Sequence, residues 1–167
     1  MFTDSHCHLT YPELRDRLPE IRQAMQEAQV ERALCICTTL EEFPEIHALA
    51  LAHDNFWASV GVHPDNEGVA EPDLDQLIEL AQLPRIVAIG ETGLEYSQME
   101  ERKGGRTRAD RGWQRDRFRA QIRAARAVNK PLVIHTRDSS SDTLRLLREE
   151  GEDGSGDQAG GVFHCFS

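Results

Sequence analysis

No apolar run in this 167-residue chain approaches the roughly 20 residues that a bilayer span requires, so no membrane helix is expected. Met1 leads almost at once into Asp4, His6 and His8, so no secretory leader is expected either. The reading is a soluble, cytoplasmic protein. Positive charge is in deficit: 19 Lys and Arg stand against 29 Asp and Glu, a net charge of −10. That balance argues against coating nucleic acid by bulk attraction. Cysteine is sparse, with Cys7, Cys35, Cys37 and Cys165 all inside apolar, strand-like runs. No second pair and no nearby histidine completes a zinc-finger spacing, so the four read as small buried hydrophobes in a reducing compartment. Glycine is missing from His6-Cys7-His8-Leu9-Thr10, the turn after the first apolar run, where a dinucleotide-binding fold requires it.

What is present is an alternation. Short β-branched, apolar runs at Phe2–His8, Arg32–Thr38, Phe56–Val62, Ile86–Glu91, Pro131–Thr136 and Gly161–Phe166 predict strands. Between them, helical patterns cover Pro19–Gln29, Glu41–His53, Pro72–Leu83, Asp110–Val128 and Asp142–Glu150. Thr39 and Glu42 are spaced as a capping box, and Pro84 stops the third helix. Repeated strand–helix–strand units predict a parallel sheet with right-handed crossovers. A doubly wound sheet and a (β/α)8 barrel both fit that pattern. The missing glycine turn and the polar residues at several strand ends favour the α/β TIM barrel, here with about six of eight βα units. The whole of residues 1–167 reads as one domain, and the glycine-rich stretch 151–161 as a plain loop on the face away from the chemistry.

Histidine carries the functional signal. Five of the seven, His6, His8, His63, His135 and His164, fall at strand ends, and only His47 and His53 fall in a helix. Two histidines two apart on a strand leave the same face, so one strand can offer two nitrogens to one metal. A lone pair of this kind is often no more than strand polarity. The other strand ends, with Glu91 on the fourth, turn it into a predicted metal site. Imidazole plus carboxylate suits Zn²⁺ or Mn²⁺, and a bridging carboxylate suits two ions; Mg²⁺ prefers oxygen donors and is not suggested by histidine alone.

Five segments then resemble the successive motifs of the TatD family of metal-dependent deoxyribonucleases. They are residues 2–9 (Phe-Thr-Asp-Ser-His-Cys-His-Leu), 59–64 (Ser-Val-Gly-Val-His-Pro), 88–94 (Ala-Ile-Gly-Glu-Thr-Gly-Leu), 130–135 (Lys-Pro-Leu-Val-Ile-His) and 162–167 (Val-Phe-His-Cys-Phe-Ser). Residues 113–118 (Trp-Gln-Arg-Asp-Arg-Phe) resemble the family's segment before the fifth strand. The resemblance spans the chain in order. It implies a TIM barrel of the amidohydrolase type, two divalent metals (Zn, Mn or Mg) and hydrolysis of DNA phosphodiesters. By position, His6 and His8 bind one metal, Glu91 bridges, His135 and His164 bind the second, and His63 lies near the substrate with a catalytic role.

Two departures from the family pattern carry expectations. Glu95 stands where the family usually has Asp, which is expected to alter a contact around the metal site without abolishing it. The family barrel also continues for two more strands, one ending in a metal-binding Asp that handles the attacking water. Without that Asp the expectation is weak or absent hydrolysis, with self-association through the open barrel edges. A fragment needing a carboxyl-terminal partner chain, and a hydrolase of another ester or amide, are the alternatives. Support for a DNA phosphate backbone as partner is local: residues 101–130 hold eleven Lys and Arg against three Asp and Glu. Arg102, Lys103, Arg106 and Arg108 in the loop are the candidate phosphate contacts. Arg115, Arg119, Arg123 and Arg126 read as the solvated face of a helix that buries Trp113, Phe118, Ile122 and Ala125. Only Tyr96 and Trp113 flank the loop, so base stacking has little support.

Overall fold

The computed structural model describes residues 1–97, 111–154 and 158–165. Strand β1 (Phe2–Cys7) is followed by a four-residue helix α1 (Pro12–Arg15) and by α2 (Leu18–Glu27). Then come β2 (Val30–Cys35), α3 (Phe43–Ala52), β3 (Phe56–Val60), α4 (Leu74–Ala81) and β4 (Ile86–Glu95). The chain continues through α5 (Gly112–Val128), β5 (Leu132–Arg137), α6 (Ser140–Glu149) and β6 (Gly161–His164). All neighbouring strands pair in parallel and in sequence order, β1-β2-β3-β4-β5-β6. A doubly wound sheet would reverse its strand order part-way; this one does not, and it forms a half-barrel. Among the described strands β1 pairs only with β2 and β6 only with β5, so both leave an edge.

Side-chain alternation sorts the two faces. Ala33, Cys35 and Cys37 point to the helix side and join the main core with Phe56, Leu77, Ile89, Phe118, Ile122 and Leu146. Leu34 and Ile36 point the other way and meet Ala88 and Val133 in a small second cluster. The same period of two carries the inner face onward to His6 and His8 on the first strand and to His135 on the fifth.

Helix α5 shows why the core holds. Phe118, Ile122 and Ala125 recur at helical spacing and are fully buried. Trp113 is only half-buried and lies over the Arg117 guanidinium, 4.7 Å from its carbon. Two glutamines on the buried face bind the backbone of the sheet. Gln114 accepts from Glu95 N at 3.0 Å and donates to Glu95 O at 3.3 Å. Gln121 does the same to Val62, at 2.9 and 3.0 Å. These bonds satisfy amides and carbonyls at strand ends that no further strand residue reaches. On the outer face, Arg119 and Arg123 pair with Glu149 and Glu150 of α6 and its end, so the helix arginines are structural as expected. Asn129 closes α5 in the left-handed conformation, and Lys130 then donates to the carbonyls of Ala81 and Ile86.

The expected capping box forms: Thr39 Oγ1 accepts from Glu42 N, and Glu42 Oε1 accepts from Thr39 N at 3.1 Å. The fourth strand differs from expectation. It runs to Glu95 rather than stopping at Glu91. Ile89 pairs with Leu132 and Thr92 with Ile134, so Gly90 and Glu91 together face Val133 alone. This is a β-bulge, and it carries the strand on through Thr92 and Gly93, past the expected end at Glu91. Gly93, at φ 114°, is required there: a Cβ would sit 2.0 Å from the His135 carbonyl oxygen. His47 packs against Phe43 and the Pro84 carbonyl as expected of a helix residue, whereas His53 lies just past the end of α3 in extended backbone, edge-on to Phe56.

Candidate metal centre

The bulge delivers Glu91 to the inner face, where it is 2 % exposed. Its two oxygens divide the histidines between them. Oε2 lies 3.3 Å from His6 Nε2 and 3.9 Å from His8 Nε2. Oε1 lies 3.1 Å from His135 Nδ1, 3.5 Å from His63 Nε2 and 3.7 Å from His164 Nε2. All five strand-end histidines are thus brought around one carboxylate, from β1, from the turn after β3, and from β5 and β6. The His6 and His164 rings stack at 3.7 Å between centroids, and Tyr11 stacks on His8 at 5.0 Å. A cleft of about 310 Å³ opens over the group, walled also by Thr38, Asp65 and Asn66. A larger hollow of about 590 Å³, lined by Met1, Arg22 and Asn55 among others, lies at the amino-terminal ends of the strands. It is away from this chemistry, so size alone does not mark the site.

Charge follows the geometry. Burial pushes Glu91 up, but hydrogen bonds from His135, His6 and His63 outweigh it and hold the carboxylate ionised, well below the usual range. His135 is opposed by burial yet rises to about 9, because Glu91 and Glu95 face its two nitrogens. Its Nε2 lies 2.9 Å from Glu95 Oε2. Carboxylates only accept, so both ring nitrogens of His135 donate, which is the imidazolium form. Glu95, also opposed by burial, falls to about 2 through His135 and Ser97, whose N and Oγ donate to Oε1. His8 and His164 are pushed down chiefly by burial.

Backbone contacts set the remaining tautomer. The Asp65 amide donates to His63 Nδ1 at 3.1 Å. An amide can only donate, so in the neutral ring the His63 proton sits on Nε2, facing the centre. The turn that carries His63 is held by Arg117 from α5, whose Nη1 donates to the carbonyls of His63 at 2.7 Å and Asn66 at 2.9 Å. Glu71 clamps the other edge of that guanidinium. The roles of Arg117, quoted only as part of the 113–118 segment, and of Glu71 had no sequence mark beyond the place of Arg117 on the inward stripe. Arg102, Lys103, Arg106 and Arg108 lie outside the described residues.

The donor set fits a divalent cation. His6 Nε2 and His8 Nε2 are 3.2 Å apart and satisfy each other only if one carries a proton. The Nδ1 atoms of both rings are buried without a hydrogen-bond partner. Nitrogen-rich donors around one carboxylate are the chemistry of Zn²⁺ and Mn²⁺ more than of Mg²⁺. His6, Glu91 and His164 form one cluster able to hold an ion; His63, Glu91 and His135 form another. The Nε2 proton of His63 suits donation better than ligation.

Comparison with known proteins agrees in fold and in family. A hydrolase of the TatD family from Entamoeba histolytica superimposes with a TM-score of 0.76 at 23% identity, covering 99% of this chain and 58% of that one. The uncharacterized metal-dependent hydrolase YcfH of Escherichia coli is 36% identical over 168 residues, covering 98% of this chain. Human deoxyribonuclease TATDN3 is 30% identical over 158 residues, covering 89% of this chain and 56% of its own length. The chain spans about 58% of YcfH. The family model for TatD related DNase matches residues 3–167, and the chain belongs to that family.

Proposed function

We propose that the chain holds two divalent metal ions and acts in the hydrolysis of DNA phosphodiesters. The observation that carries this reading is Glu91, a buried carboxylate with imidazoles at each oxygen. His6, His8 and Glu91 Oε2 would hold one ion; His135, His164 and Glu91 Oε1 the other. Bound metals supply hydroxide at neutral pH and neutralise phosphate charge. Glu91 has imidazoles at both oxygens and would hold the two ions together rather than act as a free base. Glu95 keeps the His135 ring in place from behind through Nε2. His63 presents Nε2–H to the cleft, where it donates to a phosphate or leaving oxygen.

DNA as substrate draws its support from the family, from the name of the human relative and from the cations of residues 101–130. Arg102, Lys103, Arg106 and Arg108 would contact phosphates beyond the metals, and replacing all four with Gln should flatten the salt dependence of DNA binding. The direct test is metal content after dialysis, followed by single-turnover DNA cleavage with excess protein. Weak chelator-sensitive cleavage is expected at most. His63→Ala should keep its metal and lose cleavage by roughly 10²–10⁴-fold. A chain that binds no metal overturns the centre. A metal-loaded chain that cleaves nitrophenyl phosphates or lactones but not DNA overturns the substrate.

A further inference from the structure

The division of histidines around Glu91 leaves one donor unassigned. Strand β6 ends at His164, and Cys165 follows in the left-handed conformation at φ 53°. In an unbroken strand residues 164 and 165 would face opposite sides of the sheet. The left-handed residue breaks that alternation and turns the thiol back toward the centre. Cys165 Sγ and one ring nitrogen each of His135 and His164 lie within 4.8 Å of one another. Both imidazoles already face Glu91 Oε1, at 3.1 and 3.7 Å. The thiol is free and half-buried.

We infer that Cys165 is a metal ligand, forming with His135 and His164 a three-donor position on the β5–β6 side. This rests on the metal-centre reading above and extends it to the second ion's coordination. A tetrahedral zinc, with bonds of about 2.0 Å to nitrogen and about 2.3 Å to sulfur, separates its ligand atoms by roughly 3.5 Å. Side-chain rotation of about an ångström brings the three atoms to that spacing. On coordination the thiol gives its proton to solvent and binds as thiolate. One sulfur makes the two positions chemically unequal. The side with His6 and His8 offers nitrogen and oxygen only, whereas the Cys165 side selects zinc over manganese and magnesium.

Anaerobic reconstitution of the full chain with Co²⁺ tests this. Visible d–d bands report a bound ion of either kind; a near-ultraviolet thiolate-to-cobalt band reports sulfur. Both are expected in the wild type, and Cys165→Ser should lose the ultraviolet band while keeping the visible ones. Visible bands without the ultraviolet band in the wild type overturn the Cys165 assignment and leave the histidine centre standing. No bands at all overturn both. An ultraviolet band that survives in Cys165→Ser places the sulfur elsewhere and overturns the assignment too. X-ray absorption of the zinc-loaded wild type needs no variant: a sulfur shell near 2.3 Å supports the inference, and a shell of nitrogen and oxygen alone overturns it.

Discussion

The β4–α5 unit and the β1–α2 unit are built from the same kind of alternation, yet they differ at every level. In β4 every residue but Val87 is buried, and α5 buries seven side chains. In β1 no residue is fully buried, and α2 buries none. Glu91, Glu95 and the neighbouring His135 therefore sit in a packed frame, while His6, His8 and His164 hang from strands with an open edge. The centre of the sheet fixes the carboxylates in advance of any ligand. The edges supply nitrogens that less packing holds in place.

The sharpest way to break the contrast is at Gly93. Gly93→Ala forces a Cβ against the His135 carbonyl in a backbone conformation that side chains avoid. A loss of at least about 3 kcal/mol is expected in urea unfolding. The central frame should then fail with the chemistry. Next is Glu91→Gln, which removes the bridge; metal affinity should fall by more than the roughly 10–100-fold typical of outer partners, measured by titration. Glu95→Gln should fall within that 10–100-fold range, with Glu95→Asp recovering part of it, because a charged carboxylate holds the His135 Nε2–H more strongly than a neutral amide.

A pH titration of the metal-free chain sharpens the same comparison. His135 has a folded value of about 9 against an ordinary 6.5, so its stabilisation is complete below 6.5 and is lost as pH rises through 9. Glu95 falls to about 2 from 4.5, so its share is complete above 4.5 and is lost as pH falls through 2. Thermal unfolding of the metal-free chain should therefore give the highest midpoint between about 4.5 and 6.5 from this pair, and Glu95→Gln should flatten both limbs. The smallest effect is expected at the edge. Phe163→Ser on β6, where the ring is 47% exposed, should move stability by less than about 0.5 kcal/mol.

Legibility in the sequence followed the same division. The six strands, their order and five longer helices could be read because apolar runs of period two alternate with runs of period 3.6. The short helix Pro12–Arg15 left too few residues to show a period. The length of β4 was hidden because Gly90 and Gly93 punctuate it, and a bulge looks in sequence like a stop. The five histidines and Glu91 were legible as a group through strand-end placement. Glu95 was legible only as a departure from a resemblance, since its partner His135 lies 40 residues away. Cys165 read as a buried hydrophobe because period two puts it opposite His164, and only the left-handed turn reverses that. The role of Arg117 was invisible for a different reason: its partners are two backbone carbonyls and Glu71, 46 residues away.

The bulge at Gly90 and Glu91 makes the spacing of this strand, as much as its composition, a carrier of function. Deleting one residue between Gly90 and Gly93 would let β4 pair with β5 without interruption. The same deletion would turn one end of the strand over, sending either the Ile89 side chain out of the helix-side core or the carboxylates away from the histidines. A sheet that becomes more regular here becomes chemically blind. An exchange of side chain in this stretch leaves the register in place, whereas an insertion or loss of one residue changes it.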